Sequence, residues 1–141
     1  MKKWRLPLAL ALTVLWLWFI FARSALNAEE SDAESGAVLE LLLRFFPFLT
    51  MHLVRKLAHV TEYGILGALL CLDWKWIGKG NVLLPAGVGL LAAAADEYLQ
   101  TFIPGRSGEI RDVLLDFSGV AVGIAVLLLL FRWKEAKHRA K

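Results

Sequence analysis

The sequence predicts an all-α integral membrane protein, a bundle of about four transmembrane helices with a short interfacial helix on the outer face. Three observations lead there. Hydrophobic residues make up 58% of the 141-residue chain and mean hydropathy is +0.58, above the usual range of water-soluble domains. The apolar residues gather into four runs, each near the roughly 20 residues that a helix needs to cross about 30 Å of hydrocarbon. Lys and Arg fall at the ends of those runs, as topology signals do. That placement also argues against nucleic acid as a partner despite a net charge of +3, since no basic stripe interleaved with aromatics is present.

The first run, Leu6–Ala22, follows "MKKWR" and is rich in Leu and Trp. A cleavable signal peptide shares its basic start, but "RSALNAEE" offers only a weak small-x-small cleavage signal, so residues 1–23 are expected to stay as an anchor. Residues 24–36 include "NAEESDAESG", small, acidic and polar, which reads as a mobile extracytoplasmic linker without chemistry of its own. The following "AVLELLLRFFPFLTMHL" is too short, and too interrupted by Pro47, to cross a membrane. It reads as an interfacial helix with Glu40 and Arg44 paired four residues apart, or as an early turn of the second span.

The second span starts near Arg55 or slightly earlier and reaches Asp73 or Trp74, with Arg55, Lys56, His59 and Glu62 crowding its first two turns. The third runs from Val82 to Ile103, with Pro85 tolerated in its first turn and Pro104-Gly105 as its stop. The fourth runs from Asp112 to Trp133, and residues 134–141 form a basic tail. Cys71, the single cysteine, lies in an apolar run and reads as a packing residue.

Basic residues fix the orientation. With the N-terminus inside, ten of the sixteen Lys and Arg residues are cytoplasmic (Lys2, Lys3, Arg5, Lys75, Lys79, Arg132, Lys134, Lys137, Arg139, Lys141) and six are outside (Arg23, Arg44, Arg55, Lys56, Arg106, Arg111). Both termini are then cytoplasmic, and the expected location is a bacterial plasma membrane. The polar ends of spans two, three and four all emerge on the outer side. Helical periodicity puts Arg55, His59 and Glu62 on one face of span two, Gly89, Ala93, Asp96 and Gln100 on one face of span three, and Asp112, Asp116, Gly119 and Gly123 on one face of span four.

At a rise of about 1.5 Å per residue, Glu62 and Asp96 lie roughly 10 Å below the outer ends of their spans and Asp116 about 6 Å below its own. A carboxylate facing lipid there costs about 2–3 kcal/mol, so these groups are expected to face a shared, outward-opening polar chamber. Its mouth holds four cations (Arg55, Lys56, Arg106, Arg111) against six acids (Glu62, Asp96, Glu97, Glu109, Asp112, Asp116). Protonation of carboxyls, a charged His59, a metal cation or a cationic ligand group would each relieve the excess.

With "RKLAHVTEYGILG" in span two and "DEYLQTFIPGRSGEIRDVLLDFSGVAVG" across spans three and four, the chain resembles the VanZ-like family of bacterial membrane proteins over about two thirds of its length. The combination of basic-x-x-His with Glu-Tyr-Gly, Asp-Glu-x-x-Gln, Pro-Gly-Arg and a final Asp and Gly is far more specific than any one part. The resemblance makes residues 37–133 the family's membrane domain, leaves the first span and acidic stretch outside the motif region, and carries over Lys56, His59, Glu62, Tyr63, Asp96, Glu97, Gln100, Arg106, Asp112, Asp116 and Gly119. It implies a cell-envelope role, and the family's namesake branch is associated with resistance to the glycopeptide teicoplanin.

Two functions fit. An enzyme acting at the outer leaflet on a lipid headgroup or lipid-linked wall precursor would use His59 or Glu62 as general base. Asp96 and Asp112 would orient a nucleophile or hold a metal, and Lys56 with Arg106 would clamp a phosphate, with Tyr63, Glu97, Gln100 and Asp116 completing the substrate site. A non-catalytic binder of an envelope lipid or glycopeptide would use the same charges for recognition, and at each position an ion pair that merely fixes helix packing is the plain alternative. No Ser-His-Asp order, zinc-type spacing or glycine-rich phosphate loop selects a reaction, and the sequence specifies neither cofactor nor oligomeric state.

Overall fold

The structure, a computed structural model, describes residues 5–77 and 81–139, apart from the side chains of Arg5 and Glu34. Lys2, Lys3, Lys79 and Lys141, counted above as inward topology signals, lie outside the described residues, as does the side chain of Arg5. Five helices follow in order: α1 (Arg5–Ser24), α2 (Ala28–Leu43), α3 (Met51–Trp76), α4 (Leu83–Gln100) and α5 (Ile110–Arg139). No strand occurs among the described residues, so the fold is all-α.

Local chemistry explains the boundaries. Pro7 lies in the first turn of α1, where its missing N–H is harmless. The segment expected as a mobile linker is helical from Ala28 onward, because Asn27 caps it: the Asn27 side chain accepts from the Glu30 N–H, and the Glu30 carboxylate accepts from the Asn27 N–H. This α2 runs into the region expected as interfacial and stops before Pro47. Thr50 then caps α3, accepting from the Leu53 N–H at 3.3 Å, so α3 starts at Met51, slightly before Arg55 as expected. Turns from Thr101 end α4 earlier than expected, and Gly105, at φ +76°, makes the reversal toward α5 that a side chain would strain. The basic tail is not separate: α5 continues through it to Arg139.

α3 and α5 run parallel, joined at one end by Lys56 with Asp112 and at the other by Lys75 with Glu135 at 3.7 Å. Between these pairs their backbones touch. A Cβ on Gly123 would lie 1.9 Å from the Gly64 carbonyl oxygen, and one on Gly119 2.4 Å from that of Val60. α1 and α4 run the opposite way. Thr13 of α1 donates to Asp73 near the end of α3 at 2.7 Å, while Trp16 donates to the Glu62 carbonyl oxygen at 2.9 Å.

Beside an apolar core the bundle buries polar groups, and it turns large apolar side chains outward. Glu62, Asp73, Asp96, Glu97, Gln100 and Asp116 are buried, whereas Trp18, Leu83, Leu91, Leu114 and Leu129 are exposed. A water-soluble domain sorts these residue types the other way, and exposed apolar surface on this scale calls for an apolar surround. Leu6–Ser24 and Ile110–Arg139 are each long and apolar enough to cross a membrane. Cys71 is buried and free among the core residues, as a packing role requires.

Candidate functional site

The C-terminal ends of α1 and α4 meet the N-terminal ends of α3 and α5 around a cavity of about 180 Å3. Seven of the residues expected at a site line it: Lys56, His59, Glu97, Gln100, Arg106, Asp112 and Asp116. His52, Arg55, Ser107 and Glu109 line it as well. Asp96 lies just beneath, fully buried. The two others do not line the cavity, though Tyr63 is packed close to Asp96. Glu62 turns toward α1, and Tyr63 is wholly buried, donating to the Ala92 carbonyl oxygen at 3.4 Å.

Several charged groups in and around the cavity have partners that spacing did not reveal. Asp112 pairs with Lys56, not with Arg106 or Arg111. Glu62 pairs with Arg23 at 2.7 Å, not with Arg55 or Lys56. Arg55 pairs with Asp32 of α2, and Glu97 accepts the Glu109 backbone N–H at 3.0 Å, fastening the loop to α4. Deeper in, His59 Nδ1 stands 3.5 Å from Asp116 Oδ2, an ion-pair contact longer than a well-formed hydrogen bond. Asp96 Oδ2 accepts from Ser24 Oγ at 2.9 Å and more distantly from Gln100 at 3.5 Å.

Arg106 differs from the other cations. It donates to the Ser24 carbonyl oxygen and to Ser31 Oγ, both at 2.8 Å, and both acceptors are neutral. Among the described residues no carboxylate lies within ion-pair reach of it. Burial, and then the neighbouring Arg55 guanidinium, lower its pKa from the ordinary value. An arginine stays charged even so, and an anion in the cavity would meet that charge.

The first helix and the acidic stretch thus belong to the site, contrary to the expectation that they stand apart. Ser24, Ser31 and Asp32 each hold one of its charged residues, and Arg23 holds the neighbouring Glu62. Arg23 and Ser24 close an apolar run and read there as a topology signal. Asn27 and Glu30 carried a readable sign, since Asn-x-x-Glu is a helix-start pattern that would have shown the acidic stretch to be helical.

Residues 9–132 match the model of the VanZ/LLP1 family. The chain belongs to that family. No curated protein and no solved structure matches it. VanZ/LLP1 membership, with the two long apolar helices, makes this a membrane protein of the VanZ-like envelope type. The matched stretch begins inside α1, so the family extends over the N-terminal helix and acidic stretch that the motifs alone left out.

Proposed function

We propose that α1, α3, α4 and α5 all cross the bacterial plasma membrane with both termini cytoplasmic, and that the cavity opens outward to take the anionic headgroup of an envelope lipid or lipid-linked wall precursor. In this arrangement α1 is retained, since Thr13, Trp16, Arg23 and Ser24 each bond into α3 or α4. α2 and the exposed Phe45, Phe46 and Phe48 lie along the outer interface, where apolar rings meet headgroups.

The observation that carries the reading is Arg106: half-buried, lining the cavity, and bonded to neutral acceptors. A phosphate oxygen would supply the missing counter-charge, and Arg55 and Lys56 line the same cavity. The same cavity suits either transfer chemistry or retention of an unchanged ligand.

The test uses the full chain in nanodiscs, with retention of anionic against zwitterionic lipids read by native mass spectrometry. Selective retention of anionic lipid by the wild type, reduced by Arg106→Ala, supports the reading. Equal retention of both classes would sink it. Following products of candidate precursors with and without divalent cation then separates enzyme from binder.

A structural reading is favoured by one observation: Arg23 with Glu62 and Lys56 with Asp112 each link two helices. On it the charges fix packing and the cavity has no ligand. It predicts that variants at these positions lose folded protein, and that no lipid class is preferred.

A further inference from the structure

Beneath the cavity three helices turn one side chain each toward a common point: His59 from α3, Asp96 from α4 and Asp116 from α5. One imidazole nitrogen and one oxygen from each carboxylate lie within 4.8 Å of one another. Asp96 is 0% exposed and Asp116 1%. Yet both oxygens of Asp116 and Oδ1 of Asp96 accept no hydrogen bond among the described residues. Two buried carboxylates side by side with open lone pairs are costly, and a protein normally settles such groups with donors or a cation.

The nearby fixed cations do not serve them. Lys56 is taken by Asp112, Arg23 reaches Glu62, and Arg106 points to Ser24 and Ser31. His59 comes nearest, at 3.5 Å from Asp116 Oδ2.

We infer that His59, Asp96 and Asp116 bind a divalent transition-metal ion, Zn2+ or Mn2+. Metal–ligand bonds of about 2.0–2.1 Å place neighbouring ligands of a tetrahedral ion about 3.4 Å apart, close to the separation of His59 from Asp116. One nitrogen and two carboxylate oxygens suit these ions, and three protein ligands leave a coordination position free. Both His59 and Asp116 also line the cavity, so the free position faces it. Ser24 acts in support: its hydroxyl holds Asp96 Oδ2 and leaves Oδ1 for the ion, the outer-shell arrangement that metal-binding carboxylates use. The ion's charge also offsets the two buried carboxylates. This inference stands apart from the identity of any lipid, because it concerns the chain and the ion only.

The full chain, purified in detergent and stripped with chelator, is dialysed separately against Zn2+ and Mn2+, and bound metal is measured by plasma mass spectrometry. About one ion per folded chain is expected from one of the two, with retention falling about tenfold or more in His59→Ala and Asp116→Asn and unchanged in Glu40→Gln, an exposed carboxylate outside the cavity. A folded wild type that holds neither ion overturns the site, as does equal retention by the three variants. Should the ligand variants fail to fold, a His52→Gln, His138→Gln chain leaves His59 as the single imidazole of the three. Loaded with Mn2+, or with Co2+ in place of Zn2+, it should show nitrogen coupling in pulsed electron paramagnetic resonance. A purely oxygen coordination sphere would overturn the proposal.

Discussion

Ser24 donates a 2.9 Å hydrogen bond to Oδ2 of Asp96, tying the end of α1 to the most deeply buried carboxylate of α4. Ser24 is itself buried, so neither group has ready access to water. Replacing it with Ala leaves the carboxylate oxygen with only the 3.5 Å contact from Gln100. Ser24→Ala is expected to lower stability by about 1–3 kcal/mol, read as a drop in thermal midpoint in detergent. With Asp96→Asn added, the two losses should fall short of additive, and full additivity would show the bond to be inert.

Gly123→Ala should be among the most damaging small changes, because its Cβ would stand 1.9 Å from the Gly64 carbonyl oxygen, which backbone cannot readily vacate. A loss of about 1–3 kcal/mol is expected from forcing α3 and α5 apart. Gly87→Ala is the matched control: nothing lies within 4 Å of its Cβ, and replacing a helical Gly should stabilise by about 0.5–1 kcal/mol. Thermal midpoints of the two variants should move in opposite directions.

Arg23→Gln removes the partner of Glu62, whose side chain is 10% exposed against 34% for that of Arg23. Half-open to solvent on one side, the pair contributes about 1–2 kcal/mol. Glu62→Gln placed in the Arg23→Gln background should restore part of the lost thermal midpoint, because it removes the stranded charge. No recovery would mean that Glu62 does not depend on Arg23.

The faces of the helices were readable from the sequence, and their neighbours were not. Spacing grouped Asp96 with Gly89 and Ala93, and Asp116 with Gly119 and Gly123, and all of these are buried. Periodicity identifies a face because one turn repeats every 3.6 residues, but it carries no information on which other helix that face meets. So the pairing of Glu62 with Arg23 and of Lys56 with Asp112 emerges only once the helices are packed. Acid-rich composition hid α2, since a net negative, polar stretch looks like solvated chain until its cap is considered.

Asp32 is where the view of a harmless acidic stretch changes. It holds Arg55, which lines the cavity, while being half-exposed. Asp32→Asn should free that guanidinium for an anionic headgroup and raise retention of anionic lipid about twofold, with little effect on folding. Glu29→Gln should leave retention unchanged. A fall in retention with Asp32→Asn would reverse the role assigned to Arg55.

His59→Ala, Asp96→Asn and Asp112→Asn should each abolish whatever the cavity does to its ligand while leaving the chain inserted. Protease protection in membrane vesicles checks the insertion, and native mass spectrometry checks the ligand. Loss of inserted protein in all three would return these residues to a packing role.

The split between α1 and α5 on one hand and α3 and α4 on the other has a consequence for biosynthesis. Only the outer two, among the described helices, are long and apolar enough to partition into lipid by composition. In the four-span arrangement, α3 and α4 must enter while carrying Lys56, His59, Asp96 and Glu97, each unwelcome in hydrocarbon. Their acceptance by the translocation machinery therefore waits on α1, already lodged and offering Arg23 and Ser24, and becomes permanent when α5 arrives with Asp112 and Asp116.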